Sequence, residues 1–133
     1  MAKTPEVGCR AAALDICFEQ GAVFDVTLTW REKAPPQTPI DLTGFSARMK
    51  VVFDQGETTE VLVLTLTTGN GRIILGGAAG TIRLLVDASD TAALNPDEFE
   101  NTCYDLELVP GVLTEEVRRL VEGNARLKTE KTT

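Results

Sequence analysis

Val61-Leu-Val-Leu-Thr-Leu-Thr67, Thr68-Gly-Asn-Gly71, Arg72-Ile-Ile-Leu75, Gly76-Gly-Ala-Ala-Gly80 and Thr81-Ile-Arg-Leu-Leu-Val86 follow one another without a break. Three short β-prone segments are separated by Asn-Gly and Gly-rich turns. Tight turns need positive φ, which Gly and Asn tolerate, so this cadence predicts two consecutive β-hairpins. The stretch points to an antiparallel β architecture and to no chemistry.

Outward from that centre the same period recurs. Phe24, Val26, Leu28 and Trp30 alternate with Asp25, Thr27 and Thr29, the pattern of a half-buried strand. Trp30 reads as core, or as a residue at the edge of the loop that follows. Ala11–Glu19 alternates too, with Leu14, Ile16 and Phe18 on one side. Gln20-Gly21-Ala22 is short enough to reverse the chain between these two strands. Phe45, Ala47, Met49, Val51 and Phe53 face one way in a third strand, and Ser46, Arg48 and Lys50 the other. Downstream, Tyr104–Val109 alternates with Asp105 and Glu107 outward, and Pro110-Gly111 suits a type II turn.

Two segments depart from the strand pattern. Asp87–Leu94 predicts a helix of about two turns, capped by Asp87 or Ser89 and stopped at Asn95-Pro96. Arg31–Pro39 is charged and Pro-rich, and proline has no N–H for a sheet ladder, so it predicts a long connection. The end of the chain reads two ways. Val117, Leu120 and Val121 fit a helix, while Val117, Arg119 and Val121 fit a strand that Gly123-Asn124 interrupts. The strand is favoured, because it follows a hairpin turn directly. Seven to eight strands spaced by turns, with one short helix, predict an all-β antiparallel sandwich. The organisation expected is one domain over 1–133, with an N-terminal arm at 1–10 and a C-terminal tail at 124–133.

The totals narrow the function. The chain has 133 residues and 43% hydrophobic content, enough for a core without disulfide or metal staples. It lacks an apolar run near the roughly 20 residues that span a bilayer, and its polar start lacks a signal-like apolar region. No membrane association is expected. A formal charge of −7, from 13 basic and 20 acidic residues, argues against nucleic acid, whose phosphates select clustered Lys and Arg. Arg118, Arg119 and Arg126–Lys131 are interleaved with acidic residues and read as a solvated face. Cys9, Cys17 and Cys103 form an odd set without metal-type spacing, read as small buried hydrophobes in a reducing compartment.

Histidine is absent from the sequence, which removes the commonest general base and neutral metal ligand. Asp87/Asp90 and Asp97/Glu98/Glu100 could be imagined as acid pairs, yet acidic residues beside caps and turns are normally solvated. Neither glycine cluster leads into a helix or carries the Gly-Lys-Ser/Thr of a phosphate loop. The expectation is a protein that is not an enzyme, with no catalytic, metal or cofactor-binding residues and no cofactor.

Several segments, taken in order, resemble a family of small proteins from tailed-bacteriophage structural gene clusters. They are Gln20–Phe24 with Leu28-Thr-Trp30, Pro39-Ile-Asp-Leu-Thr-Gly-Phe-Ser-Ala-Arg-Met49, and Asn70-Gly-Arg-Ile-Ile-Leu-Gly-Gly77. Gly80-Thr-Ile-Arg-Leu84, Thr91-Ala-Ala-Leu94, Tyr104-Asp-Leu-Glu-Leu108 and Arg119-Leu-Val-Glu-Gly123 complete the match, over residues 18–127. The Ile40–Phe45 element also resembles the Ig-like N-terminal domain of upper baseplate proteins. The resemblance implies a virion structural protein assembled in the host cytoplasm, a tail or baseplate adaptor binding other virion proteins or further copies of itself. A capsid decoration or cement protein and a free-standing binding module are the alternatives. Thr4 and Pro5 in the arm, and Pro35, Pro36 and Pro39 in the loop, are the candidate assembly contacts. Their irregular segments could order on a neighbouring subunit.

Overall fold

A computed structural model describes residues 12–32, 35–54, 60–111 and 117–129. The described strands are β1 (Ala12–Ala13), β2 (Ile16–Glu19), β3 (Phe24–Thr29), β4 (Ser46–Asp54), β5 (Glu60–Thr67), β6 (Ile73–Leu75), β7 (Thr81–Val86), β8 (Thr102–Val109) and β9 (Arg118–Lys128). A short helix, α1 (Ala88–Ala92), follows β7, and a 3₁₀ turn at Pro96–Phe99 precedes β8.

The strands form two sheets. The larger has the order β1-β9-β8-β4-β5, with β2 continuing β1 along β9, and the smaller has the order β3-β7-β6. Neighbours are antiparallel except at the N-terminus, where β1 and β2 run parallel to β9. Counted with β1 and β2 as one interrupted edge, eight strands make the predicted all-β sandwich. Period-two alternation builds the core between the sheets. Met49, Val51, Leu66, Leu106 and Leu108 point inward from the larger sheet, and Ile82, Leu84 and Val86 from the smaller. Each such side chain contributes about 1.5–3 kcal/mol by leaving water. Phe18 is fully buried, with the Phe24 ring centroid 4.5 Å away and that of Phe99 at 6.1 Å.

One of the two expected hairpins forms. Ile73–Leu75 pairs with Ile82–Leu84 across a 3₁₀ turn at Gly77–Ala79. Val61–Thr67 does not pair with Arg72–Leu75: β5 pairs with β4 and is, among the described residues, the outer strand of its sheet. The turn at Thr68–Gly71 carries the chain across the sandwich, so that Leu64 and Leu66 enter the core from one side and Ile73 from the other. Likewise Gln20–Ala22 reverses the chain, with the Ala22 N–H donating to the Glu19 carbonyl at 3.0 Å, yet β2 and β3 lie in different sheets.

Three further expectations are corrected. Ala11–Glu19 is not one strand: the ladder breaks at Leu14-Asp15, and Leu14 is 41% exposed. The final strand is not interrupted at Gly123-Asn124, and residues 124–128, expected in a tail, belong to β9. They are held there because Ile16–Glu19 pairs with Ala125–Lys128, Ala125 is buried and Leu127 packs on the core. Cys17 and Cys103 are exposed, since Ile16 and Phe18, and Thr102 and Tyr104, take the inward positions around them. The expected N-terminal arm at 1–10 lies outside the described residues, as does Cys9.

The short helix fastens the reversal between β2 and β3. Thr91 is fully buried, and its hydroxyl accepts from the Gly21 N–H at 3.1 Å and lies 2.8 Å from the Ala22 carbonyl, to which it donates. The Gln20 side-chain amide adds a bond to the Leu94 carbonyl at 3.1 Å. Asp87 holds the N-cap position of α1, without a side-chain capping bond.

Candidate functional site

The outward face of the larger sheet gathers six charged side chains. Arg48 and Lys50 alternate outward from β4, Asp105 and Glu107 from β8, and Arg119 and Glu122 stand on β9. Register brings them level: Arg48 lies opposite Glu107, Lys50 opposite Asp105, Glu107 opposite Arg119 and Asp105 opposite Glu122. The Arg48 Nε donates to the Glu107 carboxylate at 2.8 Å. Arg119 reaches three carboxylates, Asp105 at 3.7 Å and Glu107 and Glu122 each at 3.8 Å. An acidic strand is thus flanked by basic groups on both sides.

Arg48, Lys50, Asp105 and Glu107 line a shallow depression of about 320 Å³ on this face. A second depression of about 310 Å³ lies at Asn70, Gly71, Arg72, Leu85, Asp87 and Asp90. There Arg72 pairs with Asp90 at 2.8 Å. The Asp87/Asp90 pair considered as an acid couple is therefore partly neutralised by a guanidinium. Among the described residues no group of three or more metal-ligating side chains is close enough to hold a metal ion.

The outward face of the smaller sheet carries one bidentate pair. Arg83 donates to both Asp25 oxygens, at 2.9 and 2.7 Å, and holds that carboxyl below its usual range. Asp41 is lowered as well, by the hydroxyl and N–H of Thr43, which bond to its Oδ1 at 2.6 and 2.9 Å. That Asx turn shapes the Ile40–Gly44 element, and it lets Leu42 enter the core at 1% exposure.

The Pro-rich connection is a finger at one end of the sandwich. Its base continues the β3 ladder: Arg31 bridges to Pro39, the Ile40 N–H donates to the Trp30 carbonyl at 2.9 Å, and the Glu32 N–H donates to the Thr38 carbonyl at 2.9 Å. Gly80 underlies it. Its φ is +70°, and a β-carbon there would stand 2.9 Å from both the Ile40 and Trp30 carbonyl oxygens. Trp30 is half-buried against the core at the root of the finger. Pro35 and Pro36, joined by a cis peptide, are exposed near its tip, and Pro39 is half-buried at its base. The structure brings these three prolines into one loop. Thr4 and Pro5 lie outside the described residues.

The charged face was only half legible in the sequence. Alternation marked Arg48, Lys50, Asp105 and Glu107 as outward residues. Nothing local pairs β4 with β8, so their juxtaposition is a tertiary property.

No family model and no curated protein matches this chain in sequence. In structure it is similar to a chicken TCR crystal structure, at 10% identity and a TM-score of 0.51, covering 89% of this chain and 54% of that one. The chain therefore spans about half the length of that neighbour. It is also similar to the extracellular domain of the voltage-gated sodium channel β4 subunit, at 13% identity and a TM-score of 0.42, covering 94% and 98%. The fold is an Ig-like β-sandwich. Strands β3-β7-β6 stand where the B, E and D strands of such domains lie, and β9-β8-β4-β5 where G, F, C and C′ lie.

Proposed function

We propose that this chain is a non-enzymatic structural protein of a tailed-bacteriophage virion, a tail or baseplate adaptor that works by protein–protein assembly. The observation that carries the reading is the outward face of the larger sheet. Three carboxylates and three cationic side chains stand level there, on a chain whose formal charge is −7. A face that is locally balanced can meet another subunit without the like-charge repulsion that the rest of the surface imposes. The carboxylates on it are already engaged by arginine, which suits a docking surface better than general acid–base work. The ordered resemblance over residues 18–127 supplies the viral setting, and the Ig-like sandwich supplies a rigid scaffold for loops and faces.

In this reading Pro35, Pro36 and Pro39, with Thr4 and Pro5 of the N-terminal segment, add contacts to neighbouring virion proteins. Immunogold labelling of purified virions of the encoding phage tests it. Label at the tail or baseplate is expected. Label over the capsid would replace the adaptor with a decoration protein, and virions without label would overturn the virion role. Replacing Pro35-Pro36 with Gly-Ser, or deleting residues 1–9, is expected to lower incorporation several-fold while leaving the fold intact.

A further inference from the structure

Among the described residues β5 is the outer strand of the larger sheet, and two side chains cover part of its edge. In an antiparallel ladder alternate residues turn their N–H and C=O to opposite sides. Leu66 pairs with Met49 on β4, so Thr65 and Thr67 turn these groups to the open edge. Both are occupied. The Asn70 carboxamide accepts from the Thr67 N–H at 3.0 Å and donates to the Thr65 carbonyl at 3.1 Å. Arg72 adds a second bond to the Thr65 carbonyl at 2.9 Å.

The carboxamide thereby does what the backbone of a neighbouring strand would do, offering one acceptor and one donor at strand spacing. It is held in place by its own turn: the Asn70 N–H donates to the Thr67 hydroxyl at 2.9 Å, and the Arg72 N–H donates to the Asn70 Oδ1 at 3.0 Å. Arg72 is anchored by Asp90 on α1 at 2.8 Å, and its carbonyl accepts from the Leu85 N–H at 2.8 Å. The rest of the strand differs. Leu62 is 56% exposed, and the register with β4 shifts between Val51 and Val52.

We propose that Asn70 and Arg72 form an edge guard that blocks strand addition along Thr65–Thr67 by a second copy of this chain. The second copy is the partner that the sequence of β5 invites, since Val61–Thr67 alternates β-branched and apolar residues without a charge or a proline. Removing the Asn70 carboxamide frees the Thr67 N–H and leaves Arg72 alone on the Thr65 carbonyl, beside an exposed leucine, the arrangement that seeds edge-to-edge pairing.

Sedimentation velocity over a concentration series, with circular dichroism to verify folding, tests this on the full chain with N70A, N70A/L62K and wild type. The expected result is at least a tenfold higher association constant for N70A. The added lysine on the edge is expected to return it to the wild-type value. Folded N70A that associates no more than wild type would overturn the proposal. So would association that L62K leaves unchanged, since it would then use another face. Should N70A not fold, the milder N70S is read in the same way. Hydrogen exchange on wild type adds a test that needs no variant: Thr67 N–H is expected to be protected despite its place on an outer strand, and exchange at the rate of an unbonded amide would overturn the guard.

Discussion

Tyr104 donates its phenolic hydrogen to the carbonyl of Leu14 at 2.6 Å, across the width of β9. Between them lies Gly123, the cross-strand neighbour of Tyr104, where a β-carbon would stand 2.2 Å from that same carbonyl oxygen. In a parallel ladder the Leu14 carbonyl would accept from the Asn124 N–H. With Tyr104 on that carbonyl, the Asn124 N–H turns to the Asp15 carboxylate at 3.0 Å. This exchange of partners accounts for the break between β1 and β2, and it locks the N-terminal edge strand onto the sheet through a residue two strands away.

The first prediction concerns ionisation. Tyr104 is the chain's single tyrosine, and burial, with the nearby Asp15 charge adding, pushes its pKa up to about 12. An unfolded tyrosine titrates at about 10. The raised value means that the folded state holds the proton more tightly. The corresponding stability is fully present below pH of about 10 and is lost as pH rises through about 12. Spectrophotometric titration of tyrosinate is expected to show a single midpoint near 12 in the folded protein and near 10 in denaturant. A folded-state midpoint near 10 would refute burial of the hydroxyl.

The second compares two ways of breaking the same lock. Tyr104→Phe removes one hydrogen bond and is expected to cost about 1 kcal/mol. Gly123→Ala drives a methyl group against the Leu14 backbone and is expected to cost about 1–3 kcal/mol by overpacking. Urea denaturation measures both. Hydrogen exchange at Leu14, whose N–H donates to the Glu122 carbonyl at 2.9 Å, should speed up more in Gly123→Ala.

The third tests the clamp on the β2–β3 turn. Thr91→Val keeps the shape of the side chain and strands the Gly21 N–H and the Ala22 carbonyl. Leaving such groups without partners is expected to cost about 1–3 kcal/mol. Thermal unfolding reads the loss. A change within error would mean that the turn stands without the helix.

The fourth addresses the thiols. Cys17 and Cys103 are both exposed on outward strand faces. In a Cys9→Ser variant both are expected to react with a thiol reagent under native conditions, counted by mass spectrometry as two additions. Protection of both until denaturation would return them to the core positions that composition alone suggested.

The alternating strands were legible in the sequence because side-chain direction along a strand is a local property. Phe24, Met49, Leu106 and their neighbours announced their inward faces by period two, and Pro35-Pro36 announced a connection. The short helix before Asn95-Pro96 was legible for the same reason, since the residue before a proline avoids the α region. Partner choice was not local. Asn70-Gly71 has the form of a hairpin turn, yet the Asn70 side chain bonds the edge of β5 and β6 lies in the opposite sheet. Gly123 looked like a break, yet it is the place where Tyr104 and Leu14 meet across a continuous strand. The charged face followed the same rule: the outward direction of Arg48 and Glu107 was local, and their 2.8 Å contact came from pairing residues far apart in the chain. Period-two alternation alone marks the apolar side of β3, β4 and β8. Only the tertiary structure decided which strands are neighbours, because that choice rests on burying both inner faces at once and on satisfying backbone groups at edges that no short window contains.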